Sequence, residues 1–429
     1  MSDLRKEFLN LKIGAHAESG GGRSGVKDKR QKGGGTQPAN DRKAFKGPVT
    51  CRDEDNHEVD WYILYKTPRN QGMTGLDYIY IYPDQRLYNR VVSRRNIKPI
   101  NDPNGILANT LKPLFCDPLP PNFGFISYND QPPEPPNVSG SSASSVSPSK
   151  PKKKSVSSSY GHSKGVVMVQ KDDTVSTGGT GVWLLHSTPQ FPYKRDPNNF
   201  WPESGTDHAQ IFICVTFNYN QFKHIGKHLQ LIRAYPFDSH FPQTLNLNEL
   251  HEVTTRKTKN HNTLANNQFV PKLQLLKSRG GKKFHSIAKQ RSSTVEDGDL
   301  YVTISKTVNS DVNVQSWGCQ TARDGSFCPP DGKKVQNIQS VKTDLGEWED
   351  DHDHSKWCVA VDRNKTWTCI ADVNRAKTQY ERLGGALCVK DAKIRKIFKN
   401  FVKSVDRCPA PAKMDIGCSS YSHTDTVKD

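Results

Sequence analysis

The tripeptide His-Ser-Lys occurs twice in this chain, at His162-Ser163-Lys164 and at His354-Ser355-Lys356, 192 positions apart (354 − 162). Each copy is followed by the same kind of sequence. Behind the first come Gly165-Val166-Val167-Met168-Val169 and then Trp183-Leu184-Leu185, with Gln190 seven positions after the Trp. Behind the second come Trp357-Cys358-Val359-Ala360-Val361 and then Trp367-Thr368-Cys369-Ile370, with Asn374 seven positions after that Trp. Each half reads as a His-x-Lys strand, a turn, a second strand opening on Trp, and a side-chain amide: a degenerate internal repeat. A chain built this way folds as two related halves of one unit. A His and a Lys two positions apart point to the same side of a strand. Two such pairs brought together place two imidazoles and two ammonium groups around one point, a set suited to attack on a phosphodiester. The competing reading is two unrelated buried strands, because fourteen His residues give roughly one chance His-x-Lys.

Length and charge bound the rest. At 429 residues the chain accommodates one large two-lobed domain or two to three ordinary ones. A net charge of +17 favours polyanionic partners, nucleic acid or anionic membrane. Basic tails inflate that number, since residues 1–48 hold eleven Lys/Arg against five Asp/Glu. No stretch approaches the apolar length of a membrane span. Ser2-Asp3-Leu4-Arg5-Lys6-Glu7 is charged and no apolar stretch follows, so Met1 opens no signal peptide. Ten cysteines contain no Cys-x-x-Cys pair, which argues against a zinc finger and for disulfides formed in an oxidising compartment. Asn137-Val138-Ser139 and Asn364-Lys365-Thr366 are glycosylation sequons that agree with export. The N-terminus argues the other way, and a wrongly assigned start or an alternative first exon reconciles the two.

Along the chain, residues 1–48 are Gly-, Lys- and Arg-rich and are expected to be disordered. Strands are expected at Val59–Lys66, Tyr78–Tyr82, Phe123–Tyr128, Gly165–Val169 and Gln210–Phe217, and Leu300–Ile304 is strand-like. Residues 132–160 read as a flexible Pro/Ser-rich loop carrying a basic run at Lys150–Lys154, a solvated loop in preference to a nuclear-localisation signal. Phe222–Leu231 reads as a helix with His224 and His228 one turn apart, a surface or groove-lining helix before a metal pair. Residues 252–294 read as basic loops with a helix near Phe284–Lys289.

Several of these stretches together are familiar. Asp60-Trp61 with Tyr65-Lys66, Tyr128-Asn129-Asp130-Gln131-Pro132-Pro133, Gly161-His162-Ser163-Lys164-Gly165 and Trp183-Leu184-Leu185-His186-Ser187-Thr188-Pro189-Gln190 follow in order. The second half supplies Asp353-His354-Ser355-Lys356-Trp357-Cys358, Trp367-Thr368-Cys369-Ile370-Ala371-Asp372-Val373-Asn374-Arg375 and Gly384-Gly385-Ala386-Leu387-Cys388. Over roughly 49–410 this resembles the deoxyribonuclease II family of acid endonucleases, which includes plancitoxin-like proteins and is related to the phospholipase D superfamily. The resemblance implies an α/β fold, two-lobed and pseudo-dimeric, with mixed β-sheets flanked by helices. Its lobes are expected at 49–250 and 251–412, with a polar tail at 413–429. It further implies a lysosomal or secreted protein that cuts double-stranded DNA to 3′-phosphate ends, with no cofactor and no obligatory metal. The pairings it suggests are Cys51–Cys214, Cys369–Cys388, and Cys408 with Cys319 or Cys328. The family usually carries Asn where this chain has Gln190.

Metal-free phosphodiester cleavage needs a nucleophile, a proton donor for the leaving oxygen and positive charge on the non-bridging oxygens. His354 is assigned as nucleophile and His162 as acid, although pseudo-symmetry leaves the reverse order open. Lys164 and Lys356 hold the phosphate oxygens, and Asn374 and Gln190 donate to phosphate. His186 lines the site, and Asp372 orients a neighbouring His or caps a turn. Cys358 reads as a small buried residue rather than a nucleophile. Asp350-Asp351-His352-Asp353-His354 reads as an acidic solvated turn in preference to a divalent-metal cluster. The rival functions are an inactive or toxin-like DNA-binding protein, a lipid phosphodiesterase, and a divalent-metal nuclease.

Overall fold

The computed structural model describes residues 45, 47–70, 72–84, 90–94, 98–134, 156–256 and 273–408. Most of the basic segment 1–48, residues 135–155 with the Lys cluster and Asn137, and the tail after Cys408 lie outside them.

A short hairpin, β1 (Cys51–Arg52) and β2 (Glu58–Val59), precedes the first large sheet. That sheet contains β3 (Trp61–Lys66), β4 (Tyr78–Tyr82), β5 (Arg90–Arg94), β6 (Phe123–Asn129), β7 (Lys164–Lys171), β8 (Gly179–His186), β9 (Gln210–Asn218) and β10 (Pro236–His240). Its order is β10-β6-β7-β8-β9-β3-β4-β5. The second sheet contains β11 (Gln274–Lys277), β12 (Lys283–Ala288), β13 (Val312–Gln315), β14 (Val335–Thr343), β15 (Gly346–Glu349), β16 (Trp357–Ala360), β17 (Trp367–Ala371) and β18 (Gly385–Lys390). Its order is β11-β12-β18-β17-β16-β13-β14-β15, with β19 (Val402–Val405) paired to β14. The described helices are α1 (Ile106–Leu111), α2 (Phe222–Leu231), α3 (Asn248–Thr254), α4 (Val295–Gly298), α5 (Leu300–Val308) and α6 (Ala392–Phe401).

Strand alternation divides the apolar side chains between layers. In β3, Trp61, Ile63 and Tyr65 face a core shared with Trp357, Val359, Ile370 and Leu387 of the second sheet. Residues of α2 and α6, Ile225, Leu229, Ile394 and Phe398, complete that shared core. The other face of β3, Tyr62 and Leu64, packs with Ile106 and Leu107 of α1. On the far side of the second sheet, Cys358, Cys369 and Ala386 pack with Leu300, Tyr301 and Ile304 of α5. Both sheets are covered on both faces, so their central strands read as continuous apolar runs.

Two sequence expectations are corrected. Leu300–Ile304 is the start of α5, not a strand. Asp299 caps that helix by accepting the Tyr301 N–H at 2.7 Å, and Leu300 through Ser305 are all buried. A helix whose first six residues are all covered shows no polar spacing over that stretch, so its β-branched residues mimic a strand. Conversely, Phe284–Lys289 is not helical. Lys283–Ala288 forms β12, registered on β18 from Phe284 opposite Val389 to Ala288 opposite Gly385. That pairing is non-local and has no counterpart in local helix propensity. The expected helix at Phe222–Leu231 is present as α2, with His228 buried on it and pushed down to about 4 by burial.

Three disulfides brace the described structure: Cys51–Cys214, Cys328–Cys408 and Cys369–Cys388. Cys408 thus takes Cys328 of the two partners considered. Cys358 is a buried thiol pushed up by burial, as expected for a small packing residue.

Candidate active site

The two His-Ser-Lys motifs lie at the leading ends of strands. Lys164 opens β7, and Trp357, directly after Lys356, opens β16. The motifs meet because the second is stitched to the first sheet. The His354 N–H bonds the Ala209 carbonyl at 3.0 Å, and the Ala209 N–H bonds the His352 carbonyl at 2.8 Å.

In the first motif the β6–β7 register sets Asn129 opposite Lys164, which brings Asp130 beside Ser163. The Asp130 carboxylate accepts from His162 Nδ1 at 2.6 Å, from Lys164 Nζ and from Arg382 Nη2 at 3.2 Å. His162 and Lys164 therefore point to one side, as their spacing predicts. Burial by itself raises the Asp130 pKa, but His162, Lys164 and Arg382 outweigh it and hold the carboxylate well below its ordinary range. Burial, helped by Lys164 and Arg382, keeps His162 below its ordinary range against the pull of Asp130. The His162 Nε2 is buried without a hydrogen-bond partner among the described residues.

In the second motif His354 Nδ1 donates to the Ser187 carbonyl at 3.1 Å, which fixes the proton on Nδ1 and leaves a lone pair on Nε2. Lys356 Nζ donates to the His354 carbonyl at 2.8 Å. Burial and the charges of Lys356, Lys164, His208 and His162 hold His354 well below its ordinary range. The influence of Lys164 and His162 on His354 is the electrostatic signature of the two motifs sharing one site. Lys356 is pushed down to about 7, first by burial and then by Lys164. Asp353, fully buried, accepts from Ser355 N–H and Trp348 Nε1, both at 2.8 Å, and from the Tyr65 hydroxyl. It clamps the backbone that carries His354.

Asp372 joins this cluster. Its Oδ2 accepts the Gly385 N–H at 3.0 Å, and its Oδ1 has no partner among the described residues. Burial pushes it up to about 8, against the Gly385 hydrogen bond, Lys164 and Lys356. His186 is packed among Phe191 and Phe212, with Nδ1 accepting the Thr188 N–H at 3.2 Å. Burial and the Lys164 charge keep it well below its ordinary range.

The two amides are held by partners outside the two motifs. Gln190 sits at φ +60°, where its N–H bonds the Gln131 carbonyl and its Oε1 accepts from Ser204 at 3.0 Å. Asn tolerates that left-handed backbone better than Gln, so the substitution acts on a turn. Asn374 accepts the Trp317 N–H at 3.3 Å and donates to Gln320 at 2.8 Å. Trp317 in turn packs edge-on to His354, with centroids 5.2 Å apart. Asn374 is thus joined to the site through Trp317, and no hydrogen bond among the described residues links either amide to the two motifs.

The carboxylates ahead of His354 diverge. Asp350 pairs with Arg323, Asp351 with His352 Nδ1 at 2.6 Å, and Asp353 turns into the clamp. Among the described residues no group of three His, Cys, Asp or Glu side chains is arranged to hold a metal ion. Asn364 lies exposed in the turn between β16 and β17.

Sequence reasoning assigned no role to Asp130, Arg382, Trp317 or His208, whose ring lies 6.5 Å from His354. Asp130 falls within the motif stretch Tyr128–Pro133, but its role depends on the β6–β7 register. Arg382, Trp317 and His208 carry no local signal.

Comparison with known proteins agrees with this geometry. A family model described as deoxyribonuclease II matches residues 50–408. The chain is 28% identical to deoxyribonuclease-2-beta of Homo sapiens over 372 residues, covering 84% of this chain and 92% of that one. It is 30% identical to deoxyribonuclease-2-alpha of Rattus norvegicus over 378 residues, covering 84% and 95%. It is 28% identical to plancitoxin-1 of Acanthaster planci over 371 residues, covering 84% and 92%.

Proposed function

The chain belongs to the deoxyribonuclease II family and is a DNA-hydrolysing nuclease; from that premise we propose that it is an acid endonuclease that cuts double-stranded DNA through a two-histidine, phosphohistidine mechanism. The observation that carries this reading is the convergence of His162, Lys164, His354 and Lys356, with each imidazole held by a different kind of partner.

The His354 Nε2 lone pair attacks phosphorus and forms a P–N bond. The P–O5′ bond breaks, and the leaving oxygen takes the proton from His162 Nε2. Asp130 stabilises the imidazolium that His162 must be beforehand, whereas the uncharged Ser187 carbonyl and the neighbouring lysines favour neutral His354. Water, deprotonated by His162, then attacks phosphorus and displaces His354, leaving a 3′-phosphate. Lys164 and Lys356 carry the charge that builds on the non-bridging oxygens, so the route calls for no metal. The alkaline limit follows from the cations: Lys356, pushed down to about 7, discharges as pH rises.

The strand orders support a pseudo-dimeric, phospholipase D-like reading. The runs β6-β7-β8-β9-β3 and β13-β16-β17-β18-β12 match strand for strand, antiparallel throughout. In both, a His-Ser-Lys motif precedes the second strand, and the fourth leads into a helix of the shared core. Lobes at 49–250 and 251–412 follow this division. The three disulfides favour a lysosomal or secreted location, and no helix among the described residues is long and apolar enough to cross a membrane.

The test is nicking of supercoiled plasmid at pH 5 and pH 7.5 in excess EDTA by wild type, His162→Ala and His354→Ala. Acid-favoured nicking abolished by both substitutions is expected. Nicking that requires added Mg²⁺ refutes the metal-free route, and a phosphorylated intermediate trapped on His162 reverses the roles.

A further inference from the structure

Several cationic side chains gather beside His162 that the cleavage chemistry does not use. Arg233 follows α2, Lys289 and Arg291 follow β12, and Arg382 precedes β18. Backbone contacts tie the Arg233 and Arg382 segments to the approach to β7, and the Lys289 segment to that of Arg382. Gly161 N–H bonds the Arg233 carbonyl at 3.0 Å, His162 N–H the Leu383 carbonyl at 2.9 Å, and Lys289 N–H the Gly384 carbonyl at 3.0 Å. Arg291 Nη2 donates to the Ser159 carbonyl at 2.8 Å. The Arg233 guanidinium lies 5.6 Å over the Tyr160 ring.

These charges feel one another. Arg291 is lowered by burial and then by Arg233, with Arg382 adding and only Glu381 opposing. Lys289 is pushed down to about 7 by burial, with Arg291 and Arg382 adding to the effect. Two of the nearby carboxylates are shared or engaged elsewhere: Asp130 pairs with Arg382 at 3.2 Å but also holds His162 and Lys164, and Asp299 pairs with Arg375 at 2.8 Å. The Arg382 Nε is buried with no hydrogen-bond partner among the described residues, while its side chain keeps 19% exposure. A partly exposed group of like charges carrying a buried, unmatched N–H has the charge and the donor chemistry that bind an anion. Guanidinium forks suit a phosphodiester oxygen pair, and an adjacent tyrosine face tolerates a sugar or base.

We propose that Arg233, Arg291 and Arg382 form a subsite for a DNA phosphate adjacent to the scissile one, on the His162 side of the site. The proposal rests on the nuclease reading above. It assigns the cluster to positioning the duplex without reading its sequence.

The test measures binding apart from cleavage. His354→Ala protein is titrated with a short fluorescent duplex in EDTA from low to moderate salt, alone and combined with Arg233→Gln, Arg291→Gln or Arg291→Lys. Lys396→Gln, on the exposed face of α6, is the control. Each Gln substitution is expected to weaken binding by about tenfold at low salt and to flatten the logarithmic salt dependence by about one. Arg291→Lys keeps the charge and is expected to restore the salt slope with only part of the affinity, an outcome that misfolding does not produce. Gln variants that bind with the affinity and slope of the Lys396→Gln control overturn the subsite. Gel analysis of the duplex after titration reports separately whether His354→Ala still cuts, so failure of the catalytic reading is distinguishable from failure of the subsite.

Discussion

Asp130→Asn bears hardest on the proposed chemistry. The carboxylate takes three donors at once: His162 Nδ1 at 2.6 Å, Lys164 Nζ, and Arg382 Nη2 at 3.2 Å. An amide of the same shape offers one acceptor oxygen, so it turns an NH2 group toward at least one donor. It also removes the negative charge between two cations. Breaking a buried ion pair from one side costs about 3–5 kcal/mol. With an unfolding entropy of about 2.1 cal/mol/K per residue, the roughly 360 residues from 50 to 408 give about 0.75 kcal/mol/K, so Tm is expected to fall by about 4–7 °C. The sign with pH follows from the carboxylate's depressed value. Its contribution is complete above the unfolded pKa of about 4 and is lost as pH falls through the folded-state value. The Tm difference should therefore persist at pH 5 and close only in stronger acid. Catalysis moves too. Without Asp130, burial and Lys164 depress His162 further, so the leaving-group proton is available only at lower pH. The expected loss is about 10²- to 10⁴-fold, with the optimum displaced toward acid. Thermal melts from pH 3 to 7 and plasmid nicking in EDTA measure both effects. A variant that melts within about 1 °C of wild type at pH 5, with an unmoved pH–rate profile, refutes the bridging role.

Three further substitutions probe other parts of the site and its frame. Lys356→Arg carries a charge that does not titrate near neutrality, so activity should extend above pH 7 even if the maximal rate drops; a fall through pH 7 identical to wild type would discount Lys356. Asp372 is pushed up to about 8, so the folded state holds its proton more tightly than the unfolded one, and stability should decline as pH rises from about 4 to 8. Asp372→Asn is expected to flatten that decline in melts across the range, and an unchanged slope would argue against a buried neutral carboxyl. Cys51→Ala with Cys214→Ala opens a 163-residue closure and should destabilise by about 5 kcal/mol, read as a lower denaturant midpoint; a midpoint equal to wild type would mean the unfolded chain is not constrained by that link.

The parts of this fold that the sequence exposes are those with a short period. β3, β4, β6, β7 and β9 alternate or run apolar between turn residues, and all lie close to where the pattern puts them. The repeated His-x-Lys survives because its spacing is local, even though its side chains act at the leading ends of the strands. What escapes detection is tertiary. Asp130 reaches His162 only through the β6–β7 register, and Arg382 reaches Asp130 across 252 positions. α5 is hidden because the burial of Leu300 through Ser305 erases the amphipathic signal where the helix begins. Gln190 is only partly legible for another reason: its position after Trp183 invites a phosphate-binding role, but its left-handed backbone and the Oε1 bond from Ser204 that seat it in a turn leave no mark in the sequence.

The same residues argue that two similar halves perform different tasks. In the first half a carboxylate grips the imidazole itself, because Asp130 directly follows β6 and points at His162. In the second half the nearest carboxylate, Asp353, precedes the histidine in sequence and points away, into Tyr65 and Trp348. It therefore holds the backbone of His354 and leaves the ring to the neutral Ser187 carbonyl of the other half. A carboxylate lowers the free energy of an imidazolium, while a carbonyl selects a tautomer and adds no net charge. Two histidines of the same tripeptide are thus held by partners that the repeat does not share: burial keeps both below their ordinary range, and only the His162 ring has a carboxylate pulling the other way, toward imidazolium. In-line displacement requires that difference, one neutral nitrogen to attack and one protonated nitrogen to release the leaving oxygen. The asymmetry supports His354 as nucleophile and His162 as acid on grounds independent of the family resemblance, because it arises from where Asp130 and Ser187 sit in the first sheet.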